Sequence, residues 1–330
     1  MPLRFALALL AFALAIPAVA QETPEIETPD TDRTEADETA LYDDLVERFR
    51  TDALSVTTTV QVIPIVAFED NPGGRSGWTV PRVWIGIRGR LDGGVGYLVR
   101  ANLASTPSLL DALVSYGTDD VRAVVGRQML PFSFEYVTNV DAIDFVRRSR
   151  IVGQLNVDRE VGASVTARPG GGPLRLQGGL FNSHVSPEPV GGLLAVGRVE
   201  GVWGLGQSGR LVLGANALYD RAPDDLTLGT DVRYGADARV ELGRFLVGAE
   251  VLARESDLDG ADVRGGFVTA GVDLTPRDRA LARLDVLDES VWVVLGVTHV
   301  VTRAALVQAE LDLPTDDEPA AALAKFQLAF

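Results

Sequence analysis

The chain has 330 residues, 46% of them apolar, with 34 glycines, no cysteine and a net charge of −16. That excludes a disulfide framework, a thiolate nucleophile and a cysteine-based zinc site, and the acidity argues against a nucleic-acid binder. With only His184 and His299, neither a multi-histidine metal centre nor a cofactor site is expected. Met1 to Arg4 is a short basic start, Phe5 to Pro17 is an apolar stretch, and Ala18-Val19-Ala20 has the A-x-A form of a cleavage site. Residues 1–20 therefore read as a cleaved secretory signal, and the mature chain is expected to begin at Gln21.

Residues 21–50 form an acidic leader. Between 22 and 50 it holds eleven acids against Arg33, Arg48 and Arg50. Its first part, with Pro24 and Pro29, is too charged to bury a core and is expected to stay disordered. Leu41, Leu45 and Phe49 recur at i, i+4, i+8, which predicts either a short amphipathic helix or a frayed lead into the first strand. We expect a periplasmic extension here.

From Leu54 the hydrophobic period becomes two. Over Asp231–Leu242 one face reads Asp231, Arg233, Gly235, Asp237, Arg239 and Glu241, and the other Val232, Tyr234, Ala236, Ala238, Val240 and Leu242. Successive side chains of a strand point to opposite faces, so this is a strand with one apolar and one charged face. The same pattern predicts sixteen strands in residues 51–330. They fall near 54–68, 79–91, 94–104, 108–117, 120–130, 160–168, 173–183, 192–204, 210–220, 229–242, 244–255, 261–275, 278–287, 290–301, 303–313 and 320–330. Their connections alternate between tight turns, such as Asp92-Gly93, and mostly longer polar loops, the longest near Leu130–Arg159. That parity is the mark of an antiparallel transmembrane β-barrel. Closure satisfies the backbone groups that water cannot reach in lipid, and sixteen strands leave an aqueous channel. The apolar face is expected to meet outer-membrane lipid and the charged face to line the lumen.

Ala322, Ala324, Phe326, Leu328 and Phe330 alternate to a terminal phenylalanine. Phe326, Leu328 and Phe330 resemble the C-terminal signal read by the barrel assembly machinery of bacteria. Val125-Gly126-Arg127-Gln128-Met129-Leu130-Pro131-Phe132-Ser133, then Phe145-Val146-Arg147-Arg148-Ser149, then Asp158-Arg159-Glu160-Val161-Gly162 resemble the phosphate-selective porin O/P family, as does Leu174 to Asn182. The similarity is most specific over 120–183. It implies a homotrimeric channel in the bacterial outer membrane whose third extracellular loop, Leu130 to Arg159, folds inward. The chain departs from the family in having a single lysine, Lys325, so phosphate selectivity does not carry over.

Face parity places Arg82, Arg88, Arg90, Arg100, Arg122, Arg168, Arg175, Arg198, Arg233, Arg239, Arg264 and Arg283 inward. It does the same for Glu200, Asp231, Asp237, Glu241, Glu250, Asp262, Asp285, Glu310 and Asp312. The near balance predicts slight bulk selectivity. Arg147, Arg148 and Arg150 are the densest basic cluster on the long loop, and rings of arginine suit anion passage. They either contact anions at a constriction or pair with wall carboxylates and anchor the loop. Asp257, Asp259 and Asp262 lack the distal glutamate of an EF-hand and read as solvated loop acids. The expected function is a porin for passive diffusion of small anionic or neutral solutes, weakly anion- or phosphate-preferring and without catalysis. The alternatives are a plugged structural or assembly barrel and a barrel-embedded hydrolase relying on His184 or His299.

Overall fold

The computed structural model describes residues 54–68, 76–104, 106–184, 192–221, 229–257, 262–316 and 318–330. The expected signal at 1–20 and the leader at 21–50 lie outside the described residues. The first eight strands are β1 (Ser55–Ala67), β2 (Gly77–Arg90), β3 (Val95–Asn102), β4 (Ser108–Gly117), β5 (Val121–Met129), β6 (Arg159–Ala167), β7 (Leu174–Asn182) and β8 (Leu193–Leu205). The second eight are β9 (Gly209–Arg221), β10 (Thr230–Leu242), β11 (Phe245–Ser256), β12 (Val263–Asp273), β13 (Asp278–Leu287), β14 (Ser290–Val300), β15 (Ala305–Pro314) and β16 (Ala321–Ala329). Every boundary lies within two residues of its sequence expectation. Each strand pairs antiparallel with its chain neighbours, and β1 pairs with β16 to close the barrel. Closure leaves no strand edge unpaired. At the seam, Thr58 and Phe330 exchange backbone hydrogen bonds of 2.7 and 3.0 Å.

One rim carries only short turns, including Asp92–Gly94 and Pro169–Gly171. The opposite rim carries the longer loops, with one exception: β13 and β14 are joined by Asp288-Glu289 alone, and Asp288 takes a left-handed backbone to do so. The outward face is apolar and open to the surroundings, with Val125 62% and Val251 60% exposed. Exposed aromatics band it at both rims: Trp78, Tyr219 and Tyr234 on the long-loop side, Tyr116, Phe245 and Phe330 on the short-turn side. Such girdles flank the lipid-facing band of outer-membrane barrels.

The inward face departs from the uniformly charged surface expected of it. On β7 to β14 it also carries Phe181, Leu194, Val196, Leu218, Leu246, Leu252, Leu281, Trp292 and Val294, all buried. What covers them is the 29-residue connection between β5 and β6, which turns into the lumen. It contains two short helices, α1 (Phe134–Val137) and α2 (Arg150–Leu155). Ser133 and Ser149 cap them by accepting hydrogen bonds from the amides of Tyr136 and Val152. A cap hydroxyl satisfies one of the amides that a helix start leaves unpaired.

Candidate functional site

The inserted loop is held first by apolar packing. Leu130, Phe132, Tyr136, Ile151, Val152, Leu155 and Val157 form one cluster with Phe181, Leu194, Val196, Leu218, Leu252 and Val263 of the wall. Phe145 packs separately with Leu246, Leu281, Trp292 and Val294, and Val146 with Ile63 and Leu323. Two wall glycines make room for it. A Cβ on Gly265 would lie 3.1 Å from the Ile151 side chain, and one on Gly296 would lie 2.9 Å from the Phe145 ring. Burying a large apolar side chain contributes ~1.5–3 kcal/mol, whereas the ion pairs between loop and wall have at least one partner buried or half-buried, so the cost of desolvating their charges offsets much of their attraction. The packing fixes the loop, and the polar contacts set where each part of it sits.

Those polar contacts come mostly from the wall. The Glu250 carboxylate accepts from the amides of Phe134 and Glu135 at 2.8 and 3.1 Å, placing a negative charge at the start of α1 where the helix dipole favours it. Gln61, Gln308 and Gln327 donate side-chain amides to the carbonyls of Val140, Ile143, Asp144 and Asp141. Asp144 pairs with Arg239 at 2.6 Å and with Arg279 at 3.7 Å. Arg233 donates to the Leu155 carbonyl at 2.6 Å while holding Asp231.

The three loop arginines do not form one cluster. Arg147 pairs with Glu310 and Asp312, and its amide donates to Glu310. Arg150 shares Asp312 at 3.1 Å, and its guanidinium lies 4.1 Å from the Trp292 ring centre. Arg148 turns away, donating to the carbonyls of Glu135, Tyr136 and Thr138 at 2.9 to 3.1 Å. Burial pushes the Arg148 pKa down, chiefly by desolvating its charge. Glu135, which accepts from the Ser149 amide at 2.7 Å and faces Arg283 at 3.4 Å, is pushed up for the same reason.

The wall arginines divide into two sets. On the loop-covered side Arg198 holds Asp237 at 2.6 Å and Glu200 at 3.2 Å, Arg233 holds Asp231, Arg239 holds Asp144 and Glu241, and Arg283 lies between Glu135 and Asp285. On the uncovered side, apart from Arg159, which holds Asp111 at 2.8 Å, the partners are distant or absent. Arg122 is 3.6 Å from Asp119, Arg175 is 4.0 Å from Glu200, and Arg100 is 3.6 Å from Asp111 with its guanidinium near the Trp84 ring. The side chains of Arg88 and Arg168 have no carboxylate partner among the described residues. Arg264 is a correction: with Gly265 facing Ile151 of the loop, its neighbour Arg264 points outward at the long-loop rim, and Asp262 lies exposed beside it. The overall charge balance of the wall therefore hides a segregation, with paired charges under the loop and freer arginines opposite it.

That opposite side is open space. Three cavities of about 610, 380 and 320 Å³ run along it, the first two meeting at Arg122 and the first and third at Arg88. Arg168 and Arg175 line the second, and Arg100 and Trp84 the third. Trp84 went unremarked in the sequence, although it lies on the same face of β2 as Arg82 and Arg88. Lys325 is buried in the wall, outside all of these cavities. His184 lies 3.2 Å from Glu160 and His299 2.6 Å from Asp278. Asp257 accepts from Thr230, and Asp259 lies outside the described residues.

Comparison with known proteins places these features in context. The family model for phosphate-selective porin O and P matches residues 60–244. No curated protein sequence matches the chain. An anion-selective porin from Comamonas acidovorans superposes with a TM-score of 0.64 at 13% identity, over 84% of this chain and 99% of that one. The trimer form of OmpT, an outer membrane protein of Vibrio cholerae, gives 0.59 at 11% identity, over 84% and 100%. A mutant of Rh. blastica porin gives 0.57 at 13%, over 84% and 100%. At these identities the likeness is one of fold.

Proposed function

The chain belongs to the phosphate-selective porin O and P family and forms an outer-membrane porin channel, and from that premise we propose that it passes small anions along the arginine-lined side of its lumen. The observation that carries this reading is that Arg88 and Arg168 have no carboxylate partner among the described residues, beside the loosely paired Arg122 and Arg175. A charge already matched by a carboxylate attracts a passing ion weakly; an unmatched one in a confined, partly dry channel attracts it more strongly. Guanidinium also matches phosphate and carboxylate bidentately. The preference is weak, because Asp119 and Glu200 stand in the same passage.

Under this reading Arg147, Arg148 and Arg150 anchor the loop, and the selective residues are Arg88, Arg100, Arg122, Arg168 and Arg175. Arg198, Arg233 and Arg239 hold the wall and loop together. The reading includes a homotrimer, for which the trimer form of the Vibrio cholerae fold relative is a precedent, and an anion preference of the kind named for the Comamonas porin. It also includes export with cleavage of the signal, an acidic periplasmic leader, and insertion directed by Phe326, Leu328 and Phe330. It involves no catalysis, and both imidazoles engage carboxylates.

A second reading, a barrel closed by its own loop, draws on the apolar packing that fills one side of the lumen. Reversal potentials in planar bilayers under a KCl gradient separate the two. The open channel gives a potential on the anion side that moves toward cations in R88Q/R122Q/R168Q/R175Q. A closed barrel gives no steps at all.

A further inference from the structure

The cavity of about 320 Å³ lies between the barrel wall and the inserted loop. Trp84, Arg88 and Arg100 of β2 and β3 bound it on one side, and Asn139, Val140 and Asp141 of the loop on the other. Asp141 supplies its one acidic side chain. Arginine and carboxylate sharing a small space gain by pairing, yet here they stay apart. Neither Asp141 nor Arg88 makes an ion pair among the described residues, and Arg100 pairs with Asp111 at 3.6 Å instead.

Both sides are held by contacts outside the cavity. Arg100 lies 5.5 Å from the Trp84 ring centre, beside the buried Asp111. Three wall glutamines clamp the loop backbone: Gln61 donates to the Val140 carbonyl at 3.3 Å, Gln327 to that of Asp141 at 3.2 Å, and Gln308 to that of Ile143 at 3.1 Å. These bonds fix the main chain and leave the Asp141 side chain exposed. Cations on the wall and an anion on the loop therefore face each other across a gap that neither side closes.

A fixed gap between opposite charges suits a dipolar ligand. A simple anion gains from the arginines and is repelled by Asp141, and a simple cation meets the reverse. An α-amino acid carries both charges at neutral pH. Its carboxylate matches guanidinium bidentately, and its ammonium donates to a carboxylate in a charge-assisted bond. The volume falls at the small end of the ~300–1,000 Å³ range of small-molecule sites, and groups already held in place lose little freedom on binding.

We infer that this cavity binds small amino acids as zwitterions, with the carboxylate toward Arg88 and Arg100 and the ammonium toward Asp141. The inference rests on the open-channel reading above and adds a solute class of zero net charge to the anions of that reading. Trp84 is a positioning residue, keeping the Arg100 guanidinium at the cavity edge.

The test reads block of the ion current through the full chain in planar bilayers at ~0.1 M KCl, where screening is modest. Glycine carries both charges, acetate only the carboxylate and methylammonium only the ammonium. Glycine should half-block the current at a concentration about tenfold lower than either single ion, because each lacks one charged contact. D141N should raise the half-blocking concentration of glycine about tenfold and lower that of acetate, since the repelling charge is gone. R88Q should raise both. Both side chains are exposed and make no ion pair among the described residues, so neither substitution breaks an ion pair of the barrel. Acetate that blocks as strongly as glycine overturns the inference, as does a glycine block unchanged in D141N. Should the channel give no current, equilibrium dialysis of labelled glycine against the barrel in detergent decides instead. Saturable binding that weakens in D141N supports the inference, and binding that is absent or indifferent to D141N overturns it. Glycine adds no net charge, so the reversal potential under a KCl gradient reads the anion preference separately. A channel without that preference but with a D141N-sensitive glycine block refutes the earlier reading alone.

Discussion

Asp144 of the inserted loop is joined to Arg239 of β10 by a 2.6 Å ion pair across 95 residues of sequence. Arg279 approaches the same carboxylate at 3.7 Å, and Gln308 and Thr298 donate to the Asp144 carbonyl. One residue thus ties the loop to β10, β13, β14 and β15. Changing Asp144→Asn leaves two guanidinium groups with less charge to answer, and the loss of such a partner costs ~1–3 kcal/mol. We expect larger open-channel current noise with the barrel's melting temperature nearly unchanged. Noise identical to the wild type would show that the apolar packing alone holds this part of the loop.

Gly296 faces the Phe145 ring so closely that even a methyl group would stand 2.9 Å from it. Gly296→Val should push Phe145 out of its contact with Leu246, Leu281 and Trp292. Overpacking of this kind costs ~1–3 kcal/mol, and here the loop absorbs it more readily than the hydrogen-bonded wall. The measurable consequence is tryptic cleavage after Arg147 or Arg148 in folded, heat-modifiable protein. Full resistance to trypsin would mean that the wall yields instead.

Neutralising Arg147, Arg148 and Arg150 together to Gln removes the guanidinium partners of Glu310 and Asp312 and frees three loop carbonyls. The expected outcome is a less stable loop, seen as fluctuating conductance, with a smaller shift of reversal potential than in R88Q/R122Q/R168Q/R175Q. A larger shift in the loop triple would return the selective role to these three residues.

Glu135 supplies a pH dependence. Its folded pKa is raised by burial above the ordinary carboxylate value, so the folded state favours the neutral acid. The contribution is fully present below the unfolded pKa and is lost as pH rises through the folded one. Glu135→Gln fixes the neutral form. Its urea midpoint relative to the wild type should therefore rise between pH 4 and pH 8. A relative midpoint that falls over that range would show that the bonds from Ser149 and Arg283 outweigh desolvation.

Phe330 exchanges two backbone hydrogen bonds with Thr58 at the seam between β1 and β16. Deleting it removes both, together with the terminal member of the Phe326/Leu328/Phe330 register. Insertion into the outer membrane, read from heat-modifiable mobility on gels, should fall. Unchanged insertion would separate the assembly role from this residue.

The strands and their faces were legible in the sequence because they are local. A residue's side of a strand follows from counting by two, so the Asp231–Leu242 alternation already separates Arg233 from Tyr234, and closure follows from the number of such segments and the parity of their loops. Arg264 reads as inward in the sequence because polarity marks the lumen face elsewhere, whereas on β12 the inward face is apolar under the loop, with Val263 and Phe267 packed there. What only the tertiary structure decided is which charges meet. Arg239 and Arg88 are indistinguishable by period, yet one meets Asp144 of the folded-in loop and the other meets open space. That difference arises from the direction in which the loop packs, which is set by Phe145, Ile151 and Leu155 finding apolar and glycine positions on β8 to β14. A net charge is a sum over the chain and is readable in one dimension, whereas the segregation that a passing ion encounters exists only once the loop has chosen a wall.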